Sequence, residues 1–271
     1  MQKETSSEWL SENRFGICRL SLLTIYREPV IGSGMTSQLL FGETYEISRS
    51  SKNGQWLFIE GQNQAGTGWI MIEQHHEVSP EEYDHFQQAP IQMTTSLISK
   101  VKWGEERLFL LPGSQIHADE NEIFSWNESF TFEGSTRPFG VKADRKELVK
   151  VAGIFLHAPY LSGGRSYFGL FGGSWLHLVF KISGYTIPNY LSPILDSGKN
   201  RSTENIQEGD VIIFGNPYGI PHHLALYIGN GKMMEVKGKV LISDFEPEKW
   251  MDDENNSKEN RVLHVKNLMK Q

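Results

Sequence analysis

Short apolar runs broken by glycine, asparagine and proline dominate the chain as far as Ser79. Ile17–Leu22, Leu39–Ile47, Trp56–Glu60 and Trp69–Ile72 are rich in the β-branched, aromatic and aliphatic residues that suit a pleated, half-buried surface. Tyr26-Arg27-Glu28-Pro29, Lys52-Asn53-Gly54 and Gly66-Thr67-Gly68 separate them with residues that fix or free the backbone for turns. Short strands at such close intervals predict a small β-barrel. Cys18 falls inside the first run and is expected to be a buried strand residue. The next stretch is less regular. Ser79-Pro80-Glu81-Glu82-Tyr83 reads as a linker entering a short helical turn. Leu97–Val101, Arg107–Leu111, Glu122–Trp126 and Phe130–Phe132 read as strands, with turns at Pro112-Gly113 and Asn127-Glu128. A second, more diverged small barrel is expected there.

The pattern changes at Val141. Lys142–Ala152 is made of good helix formers, and Trp175–Ile182 is a mostly apolar helix, hence buried, ended by Ser183-Gly184. Asp210–Phe214, His223–Ile228, Lys232–Val236 and Arg261–Val265 are strand-like, while the polar Asp244–Asn260 reads as a solvated loop. Helices followed by a run of strands predict an α+β domain with an antiparallel sheet. The expected organisation is therefore three domains, at residues 12–80, 81–140 and 141–271.

Composition narrows the function classes. In 271 residues, 26 Lys and Arg stand against 33 Asp and Glu, a net charge of −7, which lacks the basic footprint of a nucleic-acid binder. No run approaches the ~18 apolar residues of a membrane span. Met1–Glu8 has no apolar core of a secretory signal. One cysteine excludes an internal disulfide and multi-cysteine metal sites. These features lead to an expectation of a cytoplasmic protein, or an exported one if an upstream signal has been removed. The histidines show no zinc-ligand spacing such as H-E-x-x-H, and Gly163-Gly164 lacks the Lys-Ser/Thr of a phosphate loop. No metal or cofactor is expected.

Chemistry-bearing motifs lie in the last domain. Ala158-Pro159-Tyr160-Leu161-Ser162-Gly163-Gly164-Arg165-Ser166 precedes Phe168-Gly169-Leu170-Phe171-Gly172-Gly173-Ser174. Further on come Glu208-Gly209-Asp210-Val211, His223–Gly231 and Met234-Glu235-Val236. In order and spacing these stretches resemble the NlpC family of papain-like cell-wall cysteine peptidases. Pro29, Ser33, Gly42, Trp56 and Gly68-Trp69-Ile70 resemble a bacterial SH3-like domain, with Trp56 and Trp69 as core or groove-lining aromatics. The whole is similar to the γ-D-glutamyl-L-diamino acid endopeptidases, also called dipeptidyl-peptidase VI. That resemblance implies N-terminal SH3-like barrels, a papain-like C-terminal domain and peptidoglycan stem peptides as ligands.

The same resemblance assigns roles, and the residues depart from them. A cysteine peptidase needs a thiolate at a helix N-terminus and a histidine to pair with it. Gly172 stands at the nucleophile position, flanked by Phe171 where the family has Asp and by Gly173 where it has Ser. Ser174 replaces the motif glycine. It lies about 200° around a helix from residue 172 and is expected to point away from the histidine. His223 stands at the general-base position and Glu235, twelve residues on, at the orienting position. Tyr160 matches the oxyanion-stabilising tyrosine. Ile187-Pro188-Asn189-Tyr190-Leu191 replaces a polar substrate-holding run. Phe171, Gly173, Ser174, Tyr190 and Arg165 are candidate ligand contacts, with His223, Glu235 and Tyr160 as vestigial catalytic groups. The expectation is an inactive homologue that binds a wall-derived peptide or a protein partner. The alternative is an active peptidoglycan-peptide hydrolase with a rearranged nucleophile.

Overall fold

A computed structural model describes residues 14–103, 105–117, 130–247 and 261–269. The strand expected at Glu122–Trp126, the turn at Asn127-Glu128 and most of the polar loop before Asn260 lie outside the described residues. The chain divides into two compact units, Met1–Phe139 with Ser162–Tyr167, and Gly140–Leu161 with Phe168–Gln271.

The first unit is built of small antiparallel sheets. A seven-stranded sheet comprises β1 (Phe15–Ile17), β2 (Leu22–Tyr26), β3 (Met35–Leu40), β4 (Thr44–Ser50), β5 (Trp56–Gly61), β6 (Gly66–Met71) and β7 (Glu77–Val78), in the order β3-β2-β6-β5-β4-β1-β7. Leu23, Ile25, Leu39, Ile47, Leu57, Ile59 and Ile70 alternate inward to form its core around the fully buried Tyr45. Each such side chain removed from water contributes roughly 1.5–3 kcal/mol. Two apolar runs that the sequence presents as single strands are broken. Ile17–Leu22 splits because the chain leaves the ladder at Cys18, whose N–H bonds the carbonyl of Glu43. Cys18 is therefore buried but lies just outside a strand, and burial pushes its thiol up to about 12. Leu39–Ile47 breaks at Phe41-Gly42-Glu43. Gly42 has φ +80, and a Cβ on it would lie 2.0 Å from the Gln115 carbonyl oxygen, so only glycine fits this turn.

The short turn expected after Ser79 is a nine-residue helix, α1 (Pro80–Gln88), because Ser79 and Glu82 form a reciprocal capping box. Two three-stranded sheets follow. They are β10 (Glu106–Leu110), β9 (Ser99–Trp103) and β12 (Phe130–Glu133), and β11 (Gln115–His117), β8 (Ile91–Thr94) and β13 (Thr136–Pro138). Val101, Leu110 and Ile116 close their core with Phe41 from the β3–β4 turn. Strands β8, β11 and β13 are too short to register as periodic runs in the sequence.

The first unit is completed by Ser162–Tyr167, which includes β14 (Arg165–Ser166). Arg165 corrects an expectation. Its side chain is fully buried, and its guanidinium grips both oxygens of Glu43 at 2.6 and 2.8 Å. It is a structural residue of the first unit and is not available to a ligand.

The second unit holds β15 (Gly169–Leu170), the helices α2 (Arg145–Gly153), α3 (Gly172–Ile182) and α4 (Leu191–Leu195), and a six-stranded antiparallel sheet. The sheet comprises β16 (Lys199–Arg201), β17 (Val211–Gly215), β18 (Pro221–Gly229), β19 (Lys232–Lys237), β20 (Lys239–Asp244) and β21 (Arg261–Asn267), ordered β16-β21-β17-β18-β19-β20. From Gly173 onward α3 is buried along its whole length, as its apolar composition predicts. Asp210, buried completely, accepts from Arg145 at 3.0 Å and pairs with Arg201 at 2.7 Å, so the Gly209-Asp210 motif is a structural anchor of this unit. The chain at His157–Tyr160 runs along β20, with hydrogen bonds to Val240 and Gly238. The short apolar run Val240-Leu241-Ile242 marks this strand, which the expected elements do not include.

Candidate functional site

The antiparallel register brings the expected histidine and carboxylate together. Ala225 pairs with Glu235 between β18 and β19, and Met233 pairs with Ser243 between β19 and β20. His223, Glu235 and Ser243 are thus diagonal neighbours across three strands, on one face by the two-residue period. His223 Nε2 lies 2.6 Å from one oxygen of Glu235, and Ser243 Oγ donates to the other at 2.5 Å. Because the carboxylate can only accept, Nε2 carries the proton, which leaves Nδ1 turned away from Glu235. Nδ1 makes no hydrogen bond among the described residues. The geometry is that of an imidazole held in one tautomer by a buried acid, the arrangement that orients a general base.

Burial raises the carboxyl of Glu235. The hydrogen bonds from His223 and Ser243 and the charges of His223 and Lys237 outweigh it and hold the group below the ordinary carboxylate value. A depressed native value means that the pair stabilises the fold above the unfolded pKa of about 4.3, and that this stability is lost as pH falls through the lower native value. Glu235→Gln is therefore expected to lower Tm at pH 7, with the gap to wild type narrowing as pH falls below that reference. Thermal melts of both proteins across this range check it, and a constant gap would contradict it.

Gly172 is the first residue of α3. A Cβ built on it would meet only Leu224 Cβ, at 3.8 Å, in the residue next to His223. The position is open, backed by the strand that bears the histidine. The following position is closed: a Cβ on Gly173 would lie 2.2 Å from the carbonyl oxygen of Asn189. The Ile187–Tyr190 run holds that place because His177 Nδ1 bonds the Ile187 carbonyl and Tyr190 sets its ring 6.0 Å from that of Phe171. The hydroxyl of Ser174 accepts from the Phe171 N–H at 3.1 Å and donates to the Phe171 carbonyl at 3.0 Å. It is buried and spent on capping the helix. Tyr160 is half exposed, and its hydroxyl has no hydrogen bond among the described residues. A cavity of about 190 Å³ adjoins the His–Glu pair, lined by Phe214, His222, His223, Met233, Glu235, Val236 and Lys237.

Sequence reasoning found His223 and Glu235 but missed Ser243 and Lys237. The signal for Ser243 was the short apolar run Val240-Leu241-Ile242 that precedes it. The signal for Lys237 was its position two residues beyond Glu235, on the same face of a strand. Among the described residues no group of three or more His, Cys, Asp or Glu could hold a metal ion.

A buried helix whose N-terminus meets a histidine-bearing antiparallel sheet defines a papain-like α+β domain. Residues 157–257 match the NlpC/P60 family model. The sequence is 24% identical over 246 residues to the γ-D-glutamyl-L-lysine dipeptidyl-peptidase of Bacillus subtilis (strain 168), covering 84% of this chain and 78% of that one. A protein of the same name from Bacillus cereus (strain ATCC 10987 / NRS 248) is 36% identical over 90 residues, 32% of this chain and 27% of its own. In fold, an NlpC/P60 family protein from Bacillus cereus ATCC 10987 matches with a TM-score of 0.76 at 17% identity, covering 94% of this chain and 99% of that chain. The chain carries an NlpC/P60 family domain and is homologous to the γ-D-glutamyl-L-lysine dipeptidyl-peptidases.

Proposed function

We propose that this protein is a catalytically inactive relative of the γ-D-glutamyl peptidases, acting as a binding module for a wall-derived peptide or a partner protein. The observations that support the reading are an imidazole at His223 oriented by Glu235 and a residue 172, beside the strand that bears it, with no side chain. In this reading the base is retained and has nothing to activate. Cys18 cannot substitute, being buried in the first unit with its thiol pushed up to about 12. Ser174 has its hydroxyl committed to the backbone of Phe171. In this reading Tyr160, His223 and Glu235 are vestigial catalytic groups, Phe171, Gly173 and Tyr190 form the altered wall of the groove, and residues 12–80 and 81–140 are two SH3-like domains ahead of the domain at 141–271.

The altered wall decides what the groove accepts. Phe171 and Tyr190 present rings where the family has an acid and a polar run, and each charged group left unpaired against them costs about 1–3 kcal/mol. A stem peptide carries several such groups. Calorimetric titration with L-Ala-γ-D-Glu-diaminopimelate is expected to give a Kd weaker than about 1 mM. Micromolar affinity would mean that the family specificity has outlived the lost nucleophile, and would contradict the apolar-groove reading.

A further inference from the structure

The outer face of the β9–β10–β12 sheet carries apolar and charged side chains sorted by position. Val101, Leu108, Leu110 and Phe132 pack into the core on the inner side. By the two-residue period of a strand, Lys100, Lys102, Arg107, Phe109, Thr131 and Glu133 take the other side. Register sets Phe109, Lys100 and Glu133 in one row across the three strands, and Arg107, Lys102 and Thr131 in the next. Phe109 is 54% exposed, and Leu97 and Ile98, in the bend just before β9, are 43% and 53% exposed. Ser99 pairs with Leu110, so this bend adjoins the Phe109 end of the face. One exposed apolar residue needs no explanation, but three gathered at one tip mark an interaction surface.

Behind the tip stand the cations. Lys100 and Lys102 lie about 7 and 13 Å from Ile98 along the strand, and Arg107 is opposite Lys102. Glu133 bridges the two lysines at 3.2 and 2.6 Å, so the face sets three cations against one carboxylate in a chain of net charge −7. The next carboxylates, Glu105 and Glu106, sit at the far end, where β9 turns into β10. The order away from the tip is therefore apolar, cationic, acidic. That is the order a bilayer with anionic headgroups demands of a protein lying on it. An acidic protein would answer the cations, yet it would need a socket shaped for the projecting tip, whereas a bilayer accepts the tip without one. We propose that this face docks on an anionic lipid bilayer, with Leu97, Ile98 and Phe109 below the headgroups and Lys100, Lys102 and Arg107 among them. The attachment is peripheral, since no described helix is long and apolar enough to cross a membrane. It involves none of the groups around His223 and holds whether or not the protein is a peptidase.

Co-sedimentation of the full chain with sucrose-loaded vesicles tests it. The protein is expected to pellet with vesicles of equal parts phosphatidylcholine and phosphatidylglycerol, and not with phosphatidylcholine alone. Pelleting should weaken in about 1 M salt, where the Debye length is ~3 Å. Arg107→Gln is expected to lower the partition coefficient about fivefold, the share of one cation near an anionic surface. Phe109→Ser combined with Ile98→Ser is expected to lower it at least about tenfold with every charge kept. Both variants replace exposed side chains, and an unchanged Tm shows that the fold is retained, while the lipid and salt comparisons use the wild-type chain. Equal pelleting with neutral and anionic vesicles, indifference to Phe109→Ser with Ile98→Ser, or no pelleting at millimolar anionic lipid would each overturn the proposal.

Discussion

Arg165→Ala is expected to destabilise the first unit by about 3–5 kcal/mol, the cost of stranding a buried charge. The guanidinium is out of contact with solvent. It donates to Glu43 through two nitrogens, at 2.6 and 2.8 Å, and to the Gln38 carbonyl at 3.1 Å, while the Arg165 N–H bonds the Gln38 side chain at 2.8 Å. Glu43 is itself buried and accepts the Leu40 N–H, so it has no water to turn to when the arginine is removed. Lysine should not rescue, because the planar fork that matches both carboxylate oxygens is lost. A double variant, Arg165→Met with Glu43→Leu, should recover most of the loss, since an apolar pair of similar volume leaves no charge behind. Urea unfolding followed by tryptophan fluorescence measures all four proteins. A single-variant cost below about 1 kcal/mol, the range of an exposed pair, would show that this pair is solvated.

The second large effect concerns the missing nucleophile. Removing the nucleophile of a serine protease costs on the order of 10⁶ in kcat, and a comparable deficit is expected here against an active relative. Gly172→Cys restores an atom without restoring the site. A thiol at residue 172 has room, since only Leu224 Cβ comes within 4 Å of the new Cβ, and the first turn of α3 would favour its thiolate. The surrounding changes remain. Phe171 still supplies a ring in place of an acid. The Asn189 carbonyl, 2.2 Å from where a Cβ of residue 173 would stand, blocks return of the neighbouring serine unless the Ile187–Tyr190 run moves. Gly172→Cys alone is therefore expected to leave release of L-Ala-γ-D-Glu from stem peptide at the level of the enzyme-free control. Robust hydrolysis by that single variant would show that the pocket is otherwise intact.

Much of the second unit was legible because its signals are local or periodic. The buried helix at Trp175–Ile182 and the strands around His223 and Glu235 carry their apolar pattern on their face, and the family resemblance set Glu235 at the position that orients His223. What was not legible depends on distant partners. Nothing near Gly42 in sequence says that the Gln115 carbonyl will sit against it, so the Leu39–Ile47 run looked continuous. Arg165 sits in a glycine-rich stretch beside the candidate site, and only the fold reveals that Glu43, 122 residues earlier, claims it. Ser243 was missed for a different reason: β20 is short, and its role appears only when register sets it beside Glu235.

Incubation of the wild-type protein with L-Ala-γ-D-Glu-diaminopimelate, with release of L-Ala-γ-D-Glu followed by mass spectrometry, tests the central claim most directly. With no side chain at residue 172 for His223 to activate, release is expected to match the enzyme-free control at every protein concentration. Release that scales with protein and disappears in His223→Ala would contradict the account and show that another group serves as nucleophile.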